Sequence, residues 1–334
     1  MLPFQHHHNY LSAPSEYETI TVISLQKINS KVLSRQRGVS MVELMVAMAL
    51  GLFLLFALVE ILINGKQSFG SANHLSRLQE NGRIATNLLV SDLKRAGYMG
   101  GNSDVPRIVG TTPPVTPAAT CPNGSTNWGR MIEQPLFGLN DTNTGYACIP
   151  AGSYLRGDIL VLRHAAPWVE TGALVATRLY LRSSLFDGAM FIGSAQGNAV
   201  NDVLDTPNSV RELQAHAYFV GPSGRSCNGV AVPSLFRVSL DDAGQPVSQE
   251  LLPGVEHFQV QYGVNDQYQN ADDLALTDWP DVVTARIWLL VRSECGESGY
   301  SDTTSYSMGD VTYTPTDNHR RQIYSSVIMI RNQI

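Results

Sequence analysis

Glu43 is a carboxylate in a place where carboxylates are costly. It stands five residues after Gly38 in an apolar run whose residues 44 to 59 carry no charge, and Ile61, Leu62 and Ile63 extend the run past Glu60. An acid at such a depth is a functional residue by default, because the expense of placing charge in hydrocarbon has to be met by a partner. The other residues able to do chemistry are Cys121, Cys148, Cys227 and Cys295, and the histidines His164, His216, His257 and His319.

All four cysteines come after the apolar run. An even number confined to the exported part fits disulfides in an oxidising compartment. Of the three possible pairings, the short Gly-, Asn- and Thr-rich loop favours Cys121–Cys148, which leaves Cys227–Cys295. A zinc site would need ligands at close spacing such as Cys-x-x-Cys, and the sequence has none. The histidines are scattered. His257 alternates with Gln259 and Gln261 on the less apolar side of a strand, which reads as a surface or interface position. Asn265-Asp266 and Asp272-Asp273 offer oxygen ligands without the fixed spacing and glycine of a calcium loop, so a solvated turn is expected. There is no Gly-x-Ser-x-Gly elbow, His-Glu-x-x-His pair or phosphate-binding Gly-x-x-x-x-Gly-Lys loop. The expectation is therefore no catalytic residue, no metal and no cofactor.

The elements that must position Glu43 are long. Val39 to Ile63 is 25 residues, about 37 Å of helix, enough to cross a hydrocarbon core of about 30 Å. Lys27, Lys31, Arg35 and Arg37 precede it, so the positive-inside bias keeps the N-terminus in the cytoplasm and exports the chain beyond residue 63. No small-x-small cleavage site comes after the run, unlike a secretory signal. A plain single-pass anchor satisfies the same length criterion.

Beyond the run, Leu75, Leu78, Gly82, Ala85, Leu89 and Ala96 recur at three- or four-residue steps, opposite a face with Arg77, Glu80, Arg83, Asn87, Ser91 and Lys94. The spacing predicts one helix from Val39 to Ala96 stopped by Gly97, or two helices broken near Asn64-Gly65. Residues 100 to 157 are rich in Pro, Gly, Thr and Asn and read as loop. Strands are predicted at 158–163, 177–182, 212–220, 234–240, 257–262, 285–292 and 322–330, several alternating as sheets with one covered face do. A long helix succeeded by strands is α+β.

The basic cluster, then Gly38, then Glu43 opening a long apolar helix, resembles the class III leader of type IV pilins and pseudopilins. The resemblance implies cleavage after Gly38 by a prepilin peptidase, methylation of the new N-terminus at Val39, and a role for Glu43 in neutralising the N-terminal ammonium of a neighbouring subunit. The family usually has Phe or Met where this chain has Val39, and the leader of 38 residues is long for it. Gln79-Glu-Asn-Gly-Arg83, leading into the helix that ends in Ala96-Gly-Tyr98, is similar to the minor pilin family PilW, itself related to pseudopilin J of type II secretion. So are Leu251 to Tyr262, Trp279-Pro, the 282–292 strand and the terminal Arg320-Arg-Gln-Ile-Tyr segment.

The implied organisation is a leader over 1–38, a transmembrane and amphipathic spine helix over 39–97, and a β-rich exported domain over 98–334, together a type IV pilin-like α+β fold. The implied partners are the prepilin peptidase, other minor pilins and the major pilin, the inner-membrane assembly platform, and membrane lipid before assembly. Without residues 1–38 the chain has 19 basic and 27 acidic residues, a net charge of −8, which suits no nucleic-acid partner by itself. A type II secretion pseudopilin, an anchored receptor or adhesin, and an anchored hydrolase are the competing readings. The last lacks a clustered nucleophile and base.

Overall fold

The computed structural model describes residues 38–102, 104–113, 126–195 and 208–333. The basic residues before Gly38 and the His6–His8 tract lie outside them. The chain divides into two units, Met1–Ile61 and Leu62–Ile334.

Helix α1, Met41–Leu93, is a single α-helix of 53 residues. It begins two residues later and ends three earlier than its periodicity predicts, and neither Gly65 nor Gly70 breaks it. Each glycine costs about 1 kcal/mol relative to alanine, which the many helix-forming neighbours outweigh. At the far end, Gly97 takes φ +78° and donates its N–H to the Arg163 carbonyl, turning the chain onto the sheet.

In the first unit the described part of α1 is apolar and exposed on every side, from Met41 at 86% to Ile61 at 67%. Among the described residues, α1 alone is long and apolar enough to cross a membrane. In the second unit α1 is amphipathic, and its buried stripe is Leu78, Gly82, Ala85, Leu89, Asp92 and Leu93. Leu75, expected in that stripe, is 43% exposed. Gly82 is required where it stands, since a Cβ there would fall within 2.1 Å of the Tyr324 ring.

The strands are β1 (Ile108–Val109), β2 (Leu136–Leu139), β3 (Arg156–Ala165), β4 (Leu179–Ser183), β5 (Gly188–Ile192), β6 (Ser209–Cys227), β7 (Val230–Leu240), β8 (Pro246–Pro253), β9 (Val255–Val264), β10 (Gln267–Gln269), β11 (Thr284–Arg292), β12 (Tyr306–Met308), β13 (Val311–Tyr313) and β14 (Arg321–Met329). One sheet runs β1-β5-β4-β6-β3-β2, with β7 paired to the long β6 and β8 to β7. A second runs β10-β9-β11-β14, antiparallel throughout. β12 and β13 form a separate ribbon. The core joins Leu78, Ala85, Leu89 and Leu93 of α1 to Leu160, Phe219, Phe258, Ile287 and Trp279. This is the expected α+β arrangement, a long apolar N-terminal helix with a large β-rich unit.

Every predicted strand is present. Missing from the prediction were β1, β2, β5, β8, β10 and the β12–β13 ribbon, mostly short pieces in turn-rich sequence. A second burial expectation, besides Leu75, is corrected. All of β9 but Gln261 is buried, because its less apolar face is covered too: the Tyr313 ring lies 4.7 Å from that of His257, and Gln259 donates to Asp141. His257 is therefore buried at 7% exposure. Asn265 and Asp266 form the two-residue hairpin turn between β9 and β10 at φ +50° and +63°, as a primed turn requires. Asp272 and Asp273 are exposed in a 3₁₀ turn capped by Asn270.

Candidate functional site

The start of α1 is simple. Gly38, Val39 and Ser40 are exposed and precede the helix, and the Leu44 N–H donates to the Ser40 carbonyl in its first turn. Glu43 is the acid of that turn, where the free N–H groups of a helix favour negative charge. Among the described residues it has no ion-pair partner. Around and after it stand Val42, Leu44, Met45, Val46, Met48, Leu50, Phe53 and Phe56, each more than half exposed. Apolar surface this continuous does not persist in water; lipid or other apolar helices must cover it. What this segment can do is insert and associate, with one carboxylate available to a partner.

The cysteines act structurally. Cys227, at the end of β6, is bonded to Cys295 beyond β11, with Cα atoms 5.5 Å apart and a separation of 68 positions in sequence. Closing a loop of that length is worth about 4 kcal/mol on chain-entropy grounds. Cys148 is disulfide-bonded, and Cys121 lies outside the described residues, as does the bridge expected for it.

The histidines are not all scattered, which corrects the sequence reading. His164 on β3 and His216 on β6 meet at Asp92 in the last turn of α1. The pairing of Leu162 with His216 and of His164 with Gln214 sets the two histidines diagonally on one face. His164 Nε2 is 2.9 Å from Asp92 Oδ1, His216 Nδ1 is 2.6 Å from Oδ2, and the Tyr218 hydroxyl donates to Oδ2 at 2.7 Å. Burial pushes the Asp92 carboxyl up, yet the charge of His216 and the hydrogen bonds from both histidines hold it well below the usual carboxylate range. Burial itself pushes His216 down. These contacts span 72 and 124 positions of sequence, so no local motif announces them.

A second buried charge is also invisible in the sequence. The Arg321 side chain, fully buried, bonds Glu256 at 2.6 Å, Asp302 at 3.2 Å and Asp317 at 2.6 Å. It pins β14 to β9 and to the loops beyond β11, and its hydrogen bond lowers Asp317 to about 2.

Two family models match the chain. Residues 33–59 match the prokaryotic N-terminal methylation motif, and residues 217–332 match the type IV pilus-assembly protein W model. The type IV-like pilin TTHA1219 from Thermus thermophilus is similar over 77% of this chain and 98% of its own, at 14% identity and a TM-score of 0.37. No curated protein matches.

The chain thus joins a prokaryotic N-terminal methylation motif to a membrane-length apolar helix that continues into a β-rich unit. Within its β-rich unit, residues 217–332 are similar to the type IV pilus-assembly protein W family.

Proposed function

We propose that this chain is an inner-membrane minor pilin precursor whose product enters the priming or tip complex of a type IV pilus. The prepilin peptidase cuts after Gly38 and Val39 becomes the methylated N-terminus. The N-terminal side of the apolar run lies in the cytoplasm and everything past residue 63 is exported. Residues 39–97 serve as the spine, and 98–334 as the outward-facing domain. Its partners are other minor pilins, the major pilin and the assembly platform. A domain this large suits a rare subunit at an end better than a repeating shaft subunit, an inference by analogy of architecture.

The observation that carries the reading is Glu43: one acid in the first turn of an apolar helix exposed on all sides, with no partner among the described residues of its own chain. When the run is covered by other spines, that carboxylate needs a positive group, and the ammonium of a neighbour's Val39 supplies it. Leaving either charge unpaired at low dielectric is costly, so the pair selects axial register. The expected result for Glu43→Ala is normal leader cleavage and membrane insertion with loss of pilus assembly, read by immunoblot of membranes and sheared pili. Wild-type piliation by that variant would refute the role.

A further inference from the structure

We propose that Asp92, His164 and His216 bind a divalent transition ion, with zinc the best fit, at the junction of α1 with β3 and β6. The first argument is geometric. Asp92 and the two histidines are all buried, and their ligand atoms lie within 4.8 Å of one another. A tetrahedral zinc at about 2.0–2.2 Å from nitrogen and oxygen ligands requires only a small outward adjustment of those atoms.

The second argument is the orientation of the rings. His164 Nδ1 is 2.9 Å from the Ala165 carbonyl and its Nε2 is 2.9 Å from Asp92 Oδ1. With Nδ1–H donated to Ala165, the ring is oriented as metal-ligating histidines are, by a backbone carbonyl on the far nitrogen. His164 Nε2 then faces Asp92 Oδ1, on the side where an ion would sit. His216 Nδ1 faces the other oxygen of the same carboxylate, and Tyr218 holds that oxygen by its hydroxyl.

Room for a fourth ligand is present. A cavity of about 240 Å³ lies alongside, lined by Trp168, Gln214, Arg95 and Arg237 as well as by the three ligands. The two guanidinium groups favour an anion, such as hydroxide or chloride, in the fourth position. Two imidazoles and one carboxylate form a nitrogen–oxygen set suited to zinc and unlike the oxygen cages of calcium or magnesium. The ion would fasten the end of α1 to the sheet, so its binding energy would add to the stability of the folded unit.

The test uses the full chain in detergent, with His6, His7 and His8 replaced by alanine to remove the other histidine tract, and with no added chelator. Cobalt(II) titration is expected to give one equivalent per chain with tetrahedral visible bands, lost on adding one equivalent of zinc. In H164Q/H216Q the bands and the equivalent should disappear, while Y218F should keep both. Zinc-edge X-ray absorption of the zinc-loaded parent should show two imidazole nitrogens, which keeps the test independent of how well the double variant folds. No stoichiometric ion in the parent, an unchanged cobalt spectrum in a folded H164Q/H216Q, or a zinc shell without imidazole would overturn the proposal.

Discussion

Two carboxylates on one helix show how the same chemical group is used in two ways. Asp92, in the last turn of α1, is buried and takes hydrogen bonds from His164, His216 and Tyr218, all supplied by strands of the same chain. Glu43, in the first turn, stands in an apolar surface with no partner among the described residues. One is satisfied by folding; in the proposed function, the other is satisfied by assembly. A structural subunit needs both kinds, an interior that closes on itself and a helix that remains incomplete until it meets its neighbours.

The largest effect separating the two should come from deletion of each acid. Asp92→Ala leaves two histidines and a tyrosine facing an empty acceptor position, and removing one member of a buried charged network costs roughly 3–5 kcal/mol. Denaturant unfolding monitored by tryptophan fluorescence should show that loss. Glu43→Ala should move the same midpoint by less than about 0.5 kcal/mol, as for other exposed sites, while abolishing assembly. Equal stability losses in the two variants would erase the distinction.

A smaller effect sharpens the same contrast along the helix. Gly82→Ala should destabilise by roughly 1–3 kcal/mol, since overpacking would force the Tyr324 ring to move. Gly65→Ala, with open space around it, should be neutral or gain up to about 1 kcal/mol of helix propensity. Melting curves of the two variants test this, and a destabilising Gly65→Ala would mean that the glycine is there for flexibility.

The smallest effect is acid dependence within the folded unit. Burial pushes His257 down to about 4, with the nearby Arg156 adding to the shift, against about 6.5 in an unfolded chain. The unfolded state therefore takes up a proton that the folded state refuses as pH falls through that window. Stability is full above pH 6.5 and is lost toward pH 4, by about 1 kcal/mol between pH 7 and 5.5 from this group alone. His257→Gln should flatten that part of a stability–pH profile. An unchanged slope would remove His257 as its source.

The apolar run, Glu43 and the stripe Leu78, Gly82, Ala85 and Leu89 were legible because helical periodicity is a local signal. The long strands were legible for the same reason, since alternation over six or more residues stands out from composition. β1, β2 and the β12–β13 ribbon were not, because two to four residues within Gly- and Pro-rich sequence carry no period. His257 was misjudged because alternation reports which face is more apolar, and says nothing of a ribbon folded over the other face. The Asp92–His164–His216 cluster and the Arg321 network join residues far apart in sequence. The register of β3 on β6 with α1 packed against it, and the pairing of β11 with both β14 and β9, bring them together.

The most direct test of the central claim is the N-terminus of the protein recovered from cells with and without the prepilin peptidase, read by mass spectrometry. The account predicts a chain beginning at methylated Val39, which reverts to the uncut form when the peptidase is absent. An N-terminus that still carries Gly38 and the residues before it in wild-type cells would contradict the account and reduce α1 to an ordinary membrane anchor.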